Sequence, residues 1–223
     1  MASIPMPDSE LQPRPTRRGL RASDHWPLIL AVALILIVPV DRARGAAQAT
    51  QTITGQFLVA TDEMGDPRFA RTVVFMVEHG PQGAMGLVIN RPLREVPLAE
   101  LMEEADPDAP RPSGTVLLHY GGPVEPGRGF VLHSSDYRSD ATHEVAHGIS
   151  FTADARILEV LGSKNGPKQH LVALGYAGWS PGQLEAEIAA GAWIVVPADP
   201  GLLFDPQADT KWERAMARRT TIL

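Results

Sequence analysis

Three residues in the second half of the chain match a zinc-binding motif by type and spacing. His143, Glu144 and His147 form H-E-x-x-H, in which two histidines one helical turn apart hold zinc and the glutamate serves as general base. That spacing works only on a helix, whereas the segment from Glu144 to Phe151 alternates apolar and polar residues around Gly148. The alternation predicts a β-hairpin, on which the two histidines would lie about 13 Å apart. We therefore interpret the motif as part of a hairpin, with a metal-binding or hydrolytic enzyme using these residues as the alternative function.

Two glycine-rich segments are candidates for phosphate binding, but neither has the sequence context that this chemistry needs. The segment 80–86 runs into a predicted strand, whereas a dinucleotide-binding turn opens a helix. Gly121 and Gly122 are not followed by the Lys-Ser/Thr pair of a phosphate-binding loop. The chain also lacks cysteine and the G-x-S-x-G motif of serine hydrolases. We therefore predict no cofactor, no metal ion and no catalytic residue.

Polar and aromatic side chains at the ends of predicted strands are the candidates for ligand binding. Strand ends and their adjoining loops often converge on one cleft. The sequence thus predicts a site for an unknown protein or small-molecule partner, formed by His79, Asn90, His133 and Trp179, with His119 as a further member. The alternative is that these side chains are structural polar groups and core aromatics.

Short apolar runs between glycine and proline turns predict strands, and apolar residues at helical spacing predict helices. The pattern as a whole indicates a mixed α/β domain. Strands are predicted at 56–60, 72–78, 84–90, 115–120, 129–133, 169–175 and 192–196 and in both arms of the hairpin 144–152. Helices are predicted at 97–105, 153–161 and 209–218. The best-defined helix runs from Ser180 to about Ala190, because Ser180, Pro181 and Gln183 suit the cap, first and third positions.

Residues 1–49 precede this pattern and have the features of an export signal. Residues 1–25 contain arginines but no lysine, and the apolar run Trp26–Val40 is shorter than the roughly 20 residues that cross a bilayer. Ala47-Gln48-Ala49 has the small-x-small pattern that a signal peptidase accepts, so we expect cleavage after Ala49. Residues 1–49 are therefore predicted to be a signal peptide or membrane anchor that contacts the membrane at least transiently. Residues 50–223 are predicted to form the folded domain.

The predicted location follows from this segment. We expect the domain in the periplasm, or anchored to the membrane and facing the periplasm. Arg17 and Arg18 would also suit the twin-arginine route, which carries folded proteins across the membrane. A cytoplasmic location is the alternative if the N-terminal extension is not used.

The charge of the chain bears on its partners. The formal net charge is -6 over 223 residues. Nucleic-acid-binding proteins usually carry a basic patch or an excess of positive charge. We therefore predict no nucleic-acid partner.

Four blocks of sequence stand in order between residues 55 and 205. They are Gly55–Ala60, Glu78–Leu93, Gly121–Val124 with Arg128–His133, and Ala173–Glu185. Through these blocks the chain resembles the AlgH/YqgE family of bacterial proteins. The resemblance implies an α+β fold, a single domain of mixed, bifurcated, partly barrel-like β-sheet surrounded by helices.

The same resemblance bears on function. It implies a biochemical activity that is not established for the family, and a regulatory role in exopolysaccharide production has been proposed for some members. Members are generally cytoplasmic and begin near the first strand, so residues 1–54 are an addition here. An exported domain cannot meet DNA, which argues against a role in transcriptional regulation. The leading interpretation is a non-enzymatic binding or regulatory module.

Overall fold

Ten strands and four helices make up residues 52–219, the part of the chain that this computed structural model describes. The strands are β1 (Gln56–Ala60), β2 (Val73–Gly80), β3 (Gly83–Val88), β4 (Pro92–Pro97), β5 (Thr115–Tyr120), β6 (Val124–Ser134), β7 (Thr142–Ala146), β8 (Ile149–Thr152), β9 (His170–Trp179) and β10 (Trp193–Pro197). The helices are α1 (Leu98–Ala105), α2 (Gln183–Ala189), α3 (Pro200–Leu203) and α4 (Ala208–Met216). Two short 3-10 helices lie at Pro67–Phe69 and Ala155–Glu159.

The strands form a curled, mostly antiparallel sheet that forks at β9. Its main path has the order β10-β1-β2-β3-β9-β6-β8-β7. One edge of β9 pairs with β6, whereas the other pairs with β3 through Ala177–Trp179 and with β5, in parallel, through Val172–Leu174. Strand β4 pairs with β5 and completes the second branch. The sheet is therefore bifurcated, and with its half-barrel curl and surrounding helices it confirms the expected α+β class.

A pair of glycines fills the junction of the fork. The N–H of Gly121 donates to Leu174 O at 2.8 Å, and its carbonyl accepts from the N–H of Val88 at 2.9 Å. A Cβ atom at Gly122, where φ is +155°, would lie 2.0 Å from the carbonyl carbon of Tyr176. The Gly121-Gly122 pair thus allows close contact between backbones and does not form a phosphate-binding turn.

Both faces of the central strands are buried, which explains their uninterrupted apolar sequences. Alternate residues of a strand point to opposite faces, so Phe57 and Val59 enter one core cluster while Leu58 and Ala60 enter another. The first cluster is covered by α3 and α4, and the second by α2 through Leu184. A third cluster lies under α1 and the 3-10 helix Ala155–Glu159. These layers hold the strands that carry the candidate site.

Most predicted strands are present, but β4 was not predicted. Pro92 and Pro97 bound it, and proline removes a backbone donor, so the segment has the sequence of a loop. Proline is tolerated in edge strands, and β4 pairs only with β5 among the described strands. The hairpin predicted at 144–152 is confirmed as β7 and β8, and the helix at 97–105 is confirmed as α1.

Two predicted helices were wrong in detail. The segment 153–161 forms only a short 3-10 helix, which begins after Asp154, whose side chain accepts from the N–H of Arg156 at 2.9 Å. Helix α2 begins at Gln183 and not beside Ser180, because Gly182 adopts a left-handed conformation with φ 76°. Half of the predicted capping box remains, since Gln183 Oε1 accepts from the N–H of Ser180 at 3.1 Å.

The predicted signal or anchor at residues 1–49, with its cleavage position after Ala49, lies outside the described residues. Within residues 52–219, no helix combines the length and the apolar character needed to span a membrane.

Candidate functional site

Two adjoining clefts form the candidate site, which we call the Arg128 groove. The first, of about 250 Å³, lies between α1, the 3-10 helix Ala155–Glu159 and the sheet. The second, of about 340 Å³, lies between the β2–β3 hairpin and the strands β6 and β9. Arg128, Phe130 and Ala153 line both clefts, so the two form one groove with Arg128 at the junction.

An irregularity in β6 places Arg128 at this junction. Val124 pairs with Tyr176, and the next paired residue of β6, Gly129, pairs with Leu174. The chain therefore advances five residues along β6 but only two along β9, so the extra residues of β6 bulge out of the sheet. Glu125 within the bulge has a φ of 47°, which is uncommon for a residue other than glycine. Local strain of this kind is found preferentially at functional positions.

The guanidinium group of Arg128 is available to a ligand. Its side chain is 54% exposed and donates to Glu125 Oε2 at 3.0 Å, with Glu125 itself 47% exposed. An exposed ion pair of this kind stabilises a protein by less than about 1 kcal/mol, so exchanging it for a ligand anion costs little. The guanidinium carbon also lies 5.2 Å from the centroid of the Phe130 ring, which holds the positive charge over an apolar surface.

Aromatic rings lie beneath the guanidinium group. Phe130 stacks on Phe151 with centroids 5.7 Å apart, and Tyr176 meets Phe130 edge-on at 5.8 Å. All three rings line the second cleft, together with Met85 and Trp179. The groove therefore combines one exposed cation with an apolar wall, in which Phe130 and Phe151 are buried and Tyr176 is partly buried.

Carboxylates also line the groove. Glu78 and Glu104 are exposed, at the second and first cleft respectively. Asp154 accepts hydrogen bonds from the side chain of Arg156 at 2.6 and 3.0 Å. These hydrogen bonds, with that from the N–H of Arg156, lower the pKa of Asp154 to about 2. Asp154 is thus ionised and already paired, and Arg128 remains the cation that faces both clefts.

The ligand-binding residues predicted from the sequence do not share one cleft. His79 accepts from the N–H of Ile53 at 3.3 Å through Nδ1, which leaves Nε2–H to donate to Glu185 at 3.0 Å. Asn90 accepts from the N–H of Val73 and donates to the carbonyl of Arg71, both at 2.9 Å. These hydrogen bonds join chain segments within the fold.

His133, in β6, lies beside one end of β9, and Trp179 lies at the other end. His133 pairs with His170, the first residue of β9, whereas Trp179 is its last, so the two are separated by roughly 30 Å along the strand. His133 is fully buried, with Nε2 3.0 Å from Thr152 Oγ1, and burial lowers its pKa. Trp179 does line the Arg128 groove, while His119 lines a separate cavity. A ligand-binding role for the four residues together stays a prediction.

The H-E-x-x-H residues occupy an exposed hairpin. His143 and Glu144 belong to β7, and His147 lies in the turn with a φ of 55°. Glu144 Oε2 accepts from Arg138 at 2.5 Å. Within residues 52–219, no three histidine, aspartate or glutamate side chains are close enough together to hold a metal ion.

Arg128, Phe151 and Tyr176 were missed by sequence reasoning. An arginine in a Pro-Gly-Arg-Gly segment has the pattern of an ordinary surface turn, and the rings have the pattern of core residues. The mismatch between β6 and β9 brings them together, and this depends on pairing between distant segments. The one feature of the sequence that could have indicated the bulge was the length of the segment from Gly121 to Arg128 between two predicted strands.

Comparison with known proteins gives the family. Residues 57–222 match the model of the family DUF179, described as AlgH-like. A UPF0301 protein of Afipia carboxidovorans is 42% identical over 183 residues, covering 78% of this chain and 87% of its own. A UPF0301 protein of Pseudomonas putida is 47% identical over 164 residues, covering 73% and 86%.

Two solved structures resemble the fold. The solution structure of the AlgH protein from Pseudomonas aeruginosa has a TM-score of 0.66 and 43% identity, covering 76% of this chain and 89% of its own. A crystal structure of a protein from Corynebacterium diphtheriae has a TM-score of 0.59 and 26% identity, covering 76% and 88%. With a family model spanning most of its length and relatives above 40% identity, the chain belongs to the AlgH-like family.

Proposed function

We propose that the protein is a non-enzymatic binding module whose Arg128 groove holds a ligand with one anionic group attached to an apolar body. The observation that carries the proposal is the position of Arg128, shared by two clefts and seated over the ring of Phe130. The guanidinium group would bind the anion, and the rings of Phe151 and Tyr176 would contact the apolar part.

The dimensions and composition of the groove support ligand binding. Ligand sites are typically concave, of about 300–1,000 Å³, and mostly apolar with a few polar groups that set orientation. The two clefts, at about 250 and 340 Å³, reach this range together. Arg128 and the rings below it supply that combination of one polar anchor and an apolar wall.

The charged groups of the groove support binding without catalysis. General acids and bases work best with a pKa near the working pH. Arginine stays protonated at neutral pH, and Asp154 is held ionised with a pKa of about 2. Arg128 can attract and orient an anion, but neither group is suited to carry a proton to or from a ligand.

Anilinonaphthalene sulfonate is a suitable probe, since it joins a sulfonate to apolar aromatic rings. We expect the folded full-length chain to bind it saturably, with enhanced dye fluorescence. The substitution Arg128→Gln removes the charge and keeps much of the side-chain length, so affinity should fall about tenfold through loss of a charge-assisted hydrogen bond.

Two controls identify the groove as the site. Arg138→Gln removes another exposed arginine, which pairs with Glu144 on the hairpin, and should leave dye affinity unchanged. N-phenylnaphthylamine lacks the sulfonate and should bind wild type and Arg128→Gln equally. Absence of saturable binding by the wild type, or equal sulfonate affinity in the two arginine variants, would overturn the proposal.

We further propose that residues 1–49 direct this module to the periplasm or anchor it at the membrane. The basic, apolar and small-x-small order of that segment supports the proposal. Fractionation of cells expressing a C-terminally tagged chain, with N-terminal sequencing of the product, tests it. Product beginning at Thr50, or full-length protein in the membrane fraction, is expected; full-length protein in the cytosol would contradict it.

A further inference from the structure

A second cavity, of about 210 Å³, lies on the opposite side of β5 and β9 from the first cleft of the Arg128 groove. Leu118 and Val172 line the groove, whereas their neighbours Leu117, His119 and Leu171 line this cavity, since successive side chains of a strand alternate between faces. The segment from Leu203 to Pro206 closes its other side, together with Lys211 of α4. Leu117 and Pro206 are exposed, so the cavity is open to solvent at this rim.

Lys211 is the most unusual group in this cavity, because it is a buried cation without a paired anion. The residue is 1% exposed, and its Nζ donates to Leu203 O at 2.6 Å and to Ile89 O at 3.1 Å. An ammonium group has three donors, and the third has no acceptor among residues 52–219. No carboxylate of the described residues lies within 4.0 Å of Nζ. Buried charges are normally paired, so the arrangement calls for a compensating anion.

The nearest carboxylate in the cavity wall already has partners. Asp205 accepts from Arg214 at 2.6 Å and from the N–H of Gln207 at 2.8 Å. These hydrogen bonds lower its pKa, with that from Gln207 as the largest cause. Asp205 thus stays ionised, and its negative charge favours the protonated form of Lys211, but its own hydrogen bonds go to Arg214 and Gln207 and leave the third donor of Lys211 unmet.

The imidazole of His119 lies on the same side of the sheet as Lys211 and lines this cavity. His170 also borders the cavity, but it shares the face of Val172 on β9, so its side chain points to the groove side of the sheet. Nδ1 of His119 lies 3.2 Å from Leu117 O and 3.3 Å from Val172 O, so it carries the hydrogen and donates to these carbonyls. Nε2 of neutral His119 is then an acceptor without a hydrogen-bond partner within residues 52–219, so it is available to a ligand in the cavity.

We propose that this cavity binds a small oxyanion, such as the phosphate or carboxylate group of a metabolite. Lys211 supplies the positive charge and its third N–H. His119 accepts the hydroxyl hydrogen of a monoprotonated oxyanion such as hydrogen phosphate. The cavity is large enough for such a group and part of an attached molecule. This site is independent of the Arg128 groove and would stand if that proposal failed.

Inorganic phosphate and acetate are the probes, because the bound oxyanion could be either a phosphate or a carboxylate group. The full-length chain is titrated with each at constant pH and ionic strength, while the Cε1–Hε1 NMR signals of the histidines are recorded. We expect a saturable shift at His119 and none at His143 and His147, which lie on the exposed hairpin. Saturation by phosphate alone, by acetate alone, or by both supports an oxyanion site and identifies its preferred source.

Substitutions connect the shifts to the cavity. Lys211→Met keeps the length of the side chain and removes its charge, and should weaken binding about tenfold or more. Lys168→Met is the matched control, because Lys168 is 86% exposed, and it should bind as wild type. Lys211→Gln also removes the charge but keeps N–H donors for the carbonyls of Leu203 and Ile89, so it provides a second test if Lys211→Met does not fold. Absence of saturable shifts in the wild type, or wild-type affinity in any folded Lys211 variant, would overturn the proposal.

Discussion

Trp179 and Trp193 donate their indole N–H groups to the same carboxylate oxygen, Oε2 of Glu187, at 2.9 and 2.8 Å. The two rings meet edge-on with centroids 6.0 Å apart. They come from β9 and β10, which three strands separate in the sheet order. Glu187 of α2 therefore joins two points that only a curled sheet can bring together, and the trio fixes the curvature of the half-barrel.

Glu187→Ala should destabilise the fold strongly, because it leaves two largely buried indole N–H groups without an acceptor. Each unsatisfied buried donor costs about 1–3 kcal/mol, so we expect a loss of about 2–6 kcal/mol in the free energy of unfolding. Urea denaturation followed by circular dichroism measures it. Glu103→Ala removes an exposed partner of Arg111 and should change stability by less than about 1 kcal/mol. Equal stability of the two variants would show that the shared carboxylate does not fix the curl.

Gly122→Ala should disrupt the fork of the sheet. The new Cβ would lie 2.0 Å from the carbonyl carbon of Tyr176, and the backbone at this φ disfavours a side chain. We expect a loss of about 3 kcal/mol or more, since the obstacle is backbone and cannot rotate away. Gly127→Ala is the control, because a Cβ there meets nothing within 4 Å. A thermal unfolding midpoint of Gly122→Ala matching that of Gly127→Ala would contradict this account of the fork.

Two buried histidines and one partly buried histidine should make the protein sensitive to mild acid. Burial is the largest cause of a lowered pKa at His119, His133 and His170, relative to 6.5. Below pH 6.5 the unfolded chain therefore binds more protons than the folded one, so stability is complete above 6.5 and falls as the pH decreases toward the folded pKa values. Unfolding free energies measured from pH 7.5 to about 5 in phosphate-free buffer check this.

The substitution His170→Phe separates this effect from general acid denaturation. It removes one of the three groups, so the loss of stability per pH unit should be shallower by up to about 1.4 kcal/mol. His147→Asn changes an exposed histidine and should keep the wild-type slope. Identical slopes in all three proteins would mean that His170 titrates alike in the folded and unfolded chains.

The buried Lys211 should make the stability of the fold depend on pH on the alkaline side as well. Burial is the largest cause that lowers its pKa from 10.5 to about 8. Between these values the unfolded chain binds the extra proton, so stability should rise as the pH increases from about 8 to 10.5. Relative to Lys211→Met, the wild type should gain about 3 kcal/mol across this range. A constant difference between the two proteins would rule out the lowered pKa.

Local chemistry made much of the fold predictable. The apolar run Phe57–Ala60 has the composition of a strand buried on both faces, and Leu98, Leu101 and Met102 mark one face of α1. Strand β4 was missed because its prolines are tolerated only at an edge, and whether a strand is an edge depends on its partners. The start of α2 was misplaced because Gly182 competes with Ser180 for the capping position.

The candidate sites were less predictable for a related reason. Trp179 was predicted as a ligand contact and lines the Arg128 groove. Asn90 was predicted in the same role, but its side chain accepts a hydrogen bond from the N–H of Val73 on the neighbouring strand. Nothing in the sequence near Arg128 or Lys211 marks them, since an exposed arginine and a helical lysine are common. Their environments arise from the forked pairing of β9 and from the packing of α4, which connect residues far apart in the chain.

The bulge in β6 has a consequence for how this family can diversify. The paired residues on either side of it keep their register with β9, while the residues between them lie outside the ladder. Substitutions or insertions between Val124 and Gly129 can thus alter the charge and reach of the position now held by Arg128 without shifting any other strand. Under the proposed function, ligand preference and thermodynamic stability would be separable properties of this architecture.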